Sequence, residues 1–344
     1  MIIMENTKKI FDNQVEQKLI KLFGKKYKDY REAWHEADSK NIPEFPIHLD
    51  MEFFDICNQK CVFCPRNEAI HTKLPYKINT KIKIEEKLVN KIIDECKSMN
   101  LKSINFGAFA EPLIYKDIFK IVKKFTNIGV VDSRLITNAL LLDKFGNQIF
   151  ESGLVNLYIS IDAFSEKTYQ MQRGPGYKKV INNVLNFLKK KEEKNSLLPI
   201  VRVSFVETNE NKHEVEDFVN FWKNKVDHID LQKKIDYTKP SETNYADKQW
   251  NCIDPFRRLS VISDGSILPC CSFWGRALKI GNIATISLKD AWKSEKLNKI
   301  VLQSDNILLI FPLRVKVFEN MFCAYKILTF SKKNYSNKLI RLTS

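Results

Sequence analysis

Cys57-Asn58-Gln59-Lys60-Cys61-Val62-Phe63-Cys64 follows directly on the apolar run that begins at Ile47, and Pro65-Arg66 closes it. A packed core asks for small apolar volume, not for three reactive sulfurs on one short loop. Soft thiolates converging from such a loop suit an iron–sulfur cluster or zinc. Tetrahedral zinc wants a fourth protein ligand, and the nearby candidates are His71 and Cys96. A cubane cluster held by three cysteines leaves one iron open to a ligand that is not protein.

Outward from this loop the pattern alternates. Residues 1–45 read as charged helix and loop, and a first strand covers 47–54. Residues 84–99 have helical spacing, with Leu88, Ile92, Ile93 and Cys96 on one face, so Cys96 reads as a small core residue. Strands are expected at 103–107, 132–137, 157–161, 200–206 and 228–232. Helices are expected between them at 115–125, 141–151, 165–171, 179–191 and 212–222. Apolar strands alternating with amphipathic helices predict an α/β fold with a parallel sheet. Six such units suit a partial (β/α)6, TIM-like barrel better than separate domains. Chemistry in such folds sits at the C-terminal ends of the strands, and the cysteine loop lies at that end of the first one.

A polar stretch, 233–249, leads to a smaller second unit. Residues 258–263 and 266–269 flank Asp264-Gly265, a hairpin signal because glycine accepts the positive φ of a tight turn. Cys252 precedes this hairpin and Cys270 and Cys271 end it; Gly281-Asn282 makes another turn before a helix at 288–299. The expected organisation is an N-terminal helical extension (1–45), the partial barrel (46–235), a β-hairpin/helix metal-binding extension (236–300) and a C-terminal tail (301–344).

The chain has 344 residues, 44% of them hydrophobic and 28% charged, an ordinary globular balance. Its net charge of +15 comes from lysines spread along the whole chain, without a basic stripe interleaved with aromatics. That argues for a solvated basic surface rather than a nucleic-acid partner. No signal peptide opens the sequence and no apolar run approaches the ~18 residues of a membrane span. Eight cysteines without secretion signals fit a reducing compartment, so the expected location is cytoplasmic, with no membrane partner.

These residues together resemble the radical S-adenosylmethionine (radical SAM) superfamily with a SPASM/twitch-like extension, over roughly 45–300. The resemblance implies that Cys57, Cys61 and Cys64 hold a [4Fe–4S] cluster whose open iron is chelated by the methionine end of SAM. Phe63 then takes the aromatic position near the adenine, or shields the cluster as a hydrophobe. Gly107-Ala108-Phe109-Ala110-Glu111-Pro112 is similar to the family's glycine-rich GGEP motif, with Phe109-Ala110 in place of the double glycine. Glu111 keeps the carboxylate that would accept from the SAM ammonium. Thr137-Asn138 resembles the T-N-G element, with Ala139 in the glycine place. Ser160 and Asp162 stand where the family bonds the SAM ribose or carboxylate. Ser160 is preferred, since Asp162 serves equally as a cap for the helix beginning near Ser165. Arg173 would pair with the methionine carboxylate, its plainer reading being an exposed loop arginine. Glu207, Asn209 and Gln232 are weaker candidates for facing cofactor or substrate.

The second unit resembles the auxiliary-cluster module through Cys252-x-x-Pro255-Phe256, the hairpin, Cys270-Cys271, Gly281-Asn282-Ile283 and Trp292-x-Ser294. Cys252, Cys270 and Cys271 are therefore the implied ligands of a second Fe–S cluster. The family completes that site with further cysteines, whereas the chain beyond Ile300 becomes basic and apolar, with Cys323 alone. Either Cys323 or Cys271 supplies the missing coordination or the ending is aberrant, as from a shifted frame; the second is favoured. The implied activity is that of an oxidoreductase. One electron from a flavodoxin- or ferredoxin-type donor splits SAM to a 5′-deoxyadenosyl radical, which takes hydrogen from substrate. A small sugar- or cyclitol-like alcohol is the first expectation for that substrate and a peptide or protein the second. A zinc-binding module and a catalytically impaired relic are the rivals from other classes.

Overall fold

The computed structural model describes residues 7–304 except 13, 68, 69, 71, 75, 108 and 236–252. Strand β1 (Thr7–Asp12) and helices α1 (Val15–Phe23) and α2 (Lys25–Glu36) come first. The alternating core is β2 (His48–Met51), α3 (Glu86–Ser98), β3 (Ser103–Phe106), α4 (Ile118–Asn127), β4 (Asp132–Thr137), α5 (Gln148–Ser152) and β5 (Asn156–Ser160). It continues through α6 (Glu166–Arg173), α7 (Tyr177–Glu193), β6 (Ile200–Glu207), α8 (Val215–Trp222) and β7 (His228–Lys233). Last come β8 (Arg258–Val261), β9 (Ser266–Leu268), β10 (Gly281–Asn282), α9 (Leu288–Trp292) and α10 (Glu295–Ser304).

Among the described residues, ten strands join one open sheet in the order β1-β7-β6-β5-β4-β3-β2-β8-β9-β10. From β2 to β7 every neighbour is parallel and in chain order. This is the partial barrel the alternation predicts, with its strand-to-helix loops gathered at one end. The second unit is continuous with it, because β8 pairs parallel with β2, His48 opposite Arg258. At the other edge β1 pairs antiparallel with β7. The strand signal at 7–12 is hidden by its lysines, and pairing on an existing edge supplies what its composition lacks.

Three expected helices differ in the structure. Residues 141–151 give a short 3-10 turn, Leu142–Lys144, and then α5, interrupted by Gly146 at φ +45°. Residues 288–299 split into α9 and α10, with Ser294 donating to Ala291 O and accepting from Leu297 N at the break. The helix expected over 212–222 opens with one 3-10 turn, Lys212–Glu214, before α8.

Strand periodicity divides the sheet into two unlike faces. Leu49, Met51, Ile104, Phe106, Leu135, Leu157, Ile159, Val203 and Phe205 belong to the main core with Ile92, Cys96, Val122, Phe125, Val184 and Trp222 of the helices. Burying each such side chain contributes about 1.5–3 kcal/mol. Cys96 is thus a core residue, as its helical position implies. The alternate positions are polar and bond across strands. His48 Nδ1 and Ser103 Oγ lie 2.7 Å apart, and Asn105 donates to Asp50 at 2.9 Å. Asp132 accepts from Arg134 at 2.5 Å, from Asn156 at 2.8 Å and from the Tyr30 hydroxyl at 2.6 Å. Tyr30 belongs to a second apolar cluster, in which Leu19, Tyr27 and Trp34 of α1 and α2 cover Val131, Val155 and Ile200 at the strand starts. One end of the inner face is therefore closed by α1 and α2, and the other carries the cysteine loop.

Candidate functional site

The loop after β2 folds back on itself through Cys64 N–H to Cys61 O (3.1 Å), and Val62 N–H reaches Gln172 O on α6 (3.0 Å). Cys57, Cys61 and Cys64 are free thiols, Cys61 buried and the other two half-buried. Cys57 is pushed up to about 11 by burial, then by the Glu111 charge and by Cys61, and Cys61 to about 11 by burial and Cys64 against the pull of Arg173. Cys64 is raised as well, by burial and then by Cys57, against the backbone N–H of Arg66 that it accepts at 3.5 Å. Three desolvated thiols whose thiolates would repel one another are the donor set that a cationic metal centre relieves, since coordination deprotonates a thiol outright. Among the described residues, no three Cys, His, Asp or Glu side chains stand close enough to share a single ion. A cubane's thiolates bind separate irons and stand farther apart. His71 lies outside the described residues.

Next to these thiols lie the ends of β3 and β4. Glu111 is buried and accepts three bonds, from Leu113 N–H (3.1 Å), Thr137 Oγ1 (2.6 Å) and Asn138 N–H (2.8 Å). A carboxylate has about four acceptor sites, so one remains. Burial raises the Glu111 pKa and these bonds hold part of the rise back. Asn138 donates to Asn58 Oδ1 at 2.7 Å with its amide nitrogen 3.9 Å from Cys57 Sγ. Gly107 sits at φ +97°, where an added Cβ would meet Pro112 at 2.7 Å and Ile136 O at 2.9 Å. Ala139 holds φ +60° without glycine's freedom.

The end of β5 brings together a buried polar group. Asp162, at φ +62°, accepts from Arg173 Nε at 2.6 Å and from Val206 N–H at 2.7 Å, and Arg173 Nη2 stands 2.5 Å from the same carboxylate. Arg173 is 7% exposed, which removes the exposed-loop reading. Burial alone would depress its pKa, and the Asp162 charge, with Cys61, Tyr169 and the Asp162 hydrogen bond adding to it, turns this into a net rise. Nor does Asp162 cap α6: Ser165 does, accepting from Thr168 N–H at 3.2 Å, while Glu214 accepts from Phe164 N–H at 2.7 Å. Arg173 also donates to Gln59 Oε1 at 3.0 Å, Gln59 donates to the Tyr169 hydroxyl at 2.7 Å, and the Arg173 guanidinium lies 5.9 Å from the Phe63 ring centre. Gln59 and Tyr169 were invisible as partners in the sequence, although Gln59 lies inside the cysteine motif. Ser160 is half-buried opposite Ser204 of β6. Glu207 and Gln232 are half-buried and Asn209 is exposed; none of the three bonds to this group.

In the second unit Cys270 and Cys271 are both half-buried. Cys271 Sγ lies 3.8 Å from Asp254 Oδ2, and burial pushes its pKa well up. Cys270 Sγ packs so near Gly275 that a Cβ there would stand 3.1 Å away. Cys252, Cys323 and the tail beyond 304 lie outside the described residues.

The sequence profile of the radical SAM superfamily matches residues 51–221, and that of an iron–sulfur cluster-binding domain, SPASM, matches 252–311. The chain belongs to the radical SAM superfamily. It is a radical SAM enzyme, with a [4Fe–4S] cluster and SAM as the cofactors of its main domain and further Fe–S ligation implied by its SPASM domain. It is 29% identical over 175 residues to the GTP 3',8-cyclase of Alkaliphilus metalliredigens, covering 50% of this chain and 51% of that one. The GTP 3',8-cyclase of Listeria welshimeri is 31% identical over 186 residues, 52% and 51% of the two chains. The chain thus spans about half the length of these relatives. Among solved structures, BtrN in complex with AdoMet and 2-DOIA has a TM-score of 0.50 at 15% identity, covering 76% of this chain and 87% of that one. Native anSMEcpe with bound AdoMet has a TM-score of 0.56 at 16% identity, with 75% and 84% covered. Streptococcus suis SuiB bound to the precursor peptide SuiA has a TM-score of 0.56 at 16% identity, with 80% and 69% covered. These likenesses show the fold. Among the described residues no helix is long and apolar enough to cross a membrane.

Proposed function

We propose that this enzyme splits SAM reductively at a cluster held by Cys57, Cys61 and Cys64 and takes hydrogen from a small, hydroxyl-rich substrate. The cluster and SAM supply a low-potential electron and, from the sulfonium, a carbon radical able to break a substrate C–H bond. Around them Glu111 offers its remaining acceptor site to the SAM ammonium, Asn138 an amide beside Cys57, and Ser160 a hydroxyl. Arg173, held charged by Asp162, presents its cationic edge and fixes Gln59 in the cysteine loop. The electron donor fitting this reading is a flavodoxin- or ferredoxin-type protein, and Cys270 and Cys271 would serve a second cluster with Cys252.

The observation that carries the substrate class is the inner face beyond Ser160. Arg202 Nη2 stands 2.5 Å from Asp230, the Arg202 guanidinium lies 4.2 Å from the Tyr158 ring centre, and His228 Nε2 is 2.7 Å from Asp230. Ser204 pairs with Asp230 in register, next to Ser160. Charged, donor and acceptor groups so mixed suit several hydroxyls at once and offer no apolar bed for a peptide side chain. The test is anaerobic reconstitution with iron and sulfide, then dithionite, SAM and C-deuterated candidate substrates. Deuterium should enter 5′-deoxyadenosine from polyols, and Cys61→Ala should abolish the product. Deuterium from peptides alone would replace the substrate reading, while bound zinc without iron, or a loaded cluster without SAM cleavage, would sink the whole proposal.

A further inference from the structure

Between the cysteine loop and the second unit lies a buried group of four charges that SAM chemistry does not use: Glu52, Asp55, Arg66 and Arg276, each 5% exposed or less. Arg66 Nη2 donates to Glu52 Oε2 at 2.9 Å and to Asp55 Oδ1 at 2.5 Å. Arg276 Nη2 donates to the same Glu52 oxygen at 2.5 Å and stands 3.5 Å from the same Asp55 oxygen. The other carboxylate oxygens are filled by Ser263 Oγ (3.1 Å) and Thr80 Oγ1 (2.7 Å). Arg66 follows Cys64 by two residues, its backbone N–H meets the Cys64 sulfur, and its Nε donates to the carbonyl of Phe109. Arg276 comes from the 3-10 turn Phe273–Ala277, one residue beyond Cys270-Cys271, and lies 5.2 Å from the ring centre of Phe109. Phe109 in turn meets Phe273 edge-on at 5.3 Å.

We infer that Arg276 is a positioning residue through which the second unit sets the geometry and electrostatics of the cysteine loop. Two buried carboxylates need two cations; Arg66 alone would leave one net negative charge against Cys64. The cation from the extension balances the group, so Arg66 keeps its grip on both Cys64 and the loop before Glu111. The coupling needs no metal at Cys270 and Cys271. It rests on the reading that Cys57, Cys61 and Cys64 hold a cluster.

The experiment reconstitutes the full chain and measures iron content, the reduced cluster's EPR signal with SAM, and its midpoint potential. Arg276→Gln should shift the reduction equilibrium about tenfold against the electron, a potential lower by about 59 mV for a one-electron couple, with an altered EPR signal. Arg276→Lys restores the charge and should recover most of the shift. Lys279→Gln removes a half-exposed cation three residues further along and should move nothing. Where Arg276→Gln loads iron poorly, the double variant Glu52→Gln/Arg276→Gln removes one charge of each sign and should load better. A fully loaded Arg276→Gln with unchanged potential and EPR signal overturns the proposal, as does a double variant that loads no better than the single. A wild-type chain that takes up no iron overturns the functional reading and the proposal with it.

Discussion

Replacing Arg173 by glutamine tests the buried pair that anchors the site. The substitution removes two contacts to Asp162, at 2.6 and 2.5 Å, and one to Gln59, at 3.0 Å. Asp162 would keep only the Val206 N–H, at 2.7 Å, in a fully buried position. Removing one member of a buried ion pair costs about 3–5 kcal/mol, because the partner's charge is left without compensation. The drop in Tm should be on the order of 10 °C, at about 2–4 °C per kcal/mol in a chain of this class. Adding Asp162→Asn should recover about 1–3 kcal/mol as a coupling energy, and asparagine tolerates the φ of +62° held there. The sign with pH follows from Asp162. Burial already raises its pKa above 3.8 against the pull of Arg173; without Arg173 it rises further, so the folded variant binds a proton more readily than the unfolded chain. The variant's deficit should therefore shrink as pH falls from about 7 toward about 5. Thermal unfolding of the apo chain gives the Tm, and urea unfolding across that pH range gives the free energies. A single-variant loss below about 1 kcal/mol, or strict additivity in the double variant, would refute the reasoning.

Gly107→Ala should destabilise by about 3 kcal/mol, combining a φ of +97° with a Cβ pressed against Pro112 and Ile136 O; thermal unfolding and a lowered SAM affinity would report it. Glu111, raised above its ordinary 4.5 by burial, must be ionised to accept from the SAM ammonium. SAM affinity should therefore begin to fall at a higher pH than an ordinary glutamate gives. Calorimetric titration over a pH series should show this in the wild type and a flat, weaker profile in Glu111→Gln.

The parallel order of β2 to β7 was legible because each strand is a short apolar run between helices of clear periodicity. The failures lie where side chains compete with local pattern. Gly146 and Ser294 interrupt stretches whose apolar spacing runs on through them, and the pairing of β8 with β2 depends on residues more than 200 positions apart. The three thiols were legible from spacing, Glu111 and Asn138 only through the resemblance of their motifs to the family's, and the structure gathers all five at adjoining strand ends. The partnership of Asp162 with Arg173 was not, because a residue before a helix reads equally well as its cap. Arg66 sat in plain view after Cys64, but its role depends on Arg276, which only the fold brings near. Phe109 marked a departure from a glycine-rich motif in the sequence; packed against Phe273, it is a contact between the two units.

The pairing of β8 alongside β2 also makes the strand that leads into the cysteine loop an interior one. Without β8, its row of backbone N–H and C=O groups would face solvent as an open sheet edge, a template for joining another chain. A shortened version of this enzyme ending before β8 should therefore self-associate through the very strand that leads to the cysteine loop. The extension is a seam of the fold, and protection from aggregation belongs among its functions whatever metal it binds.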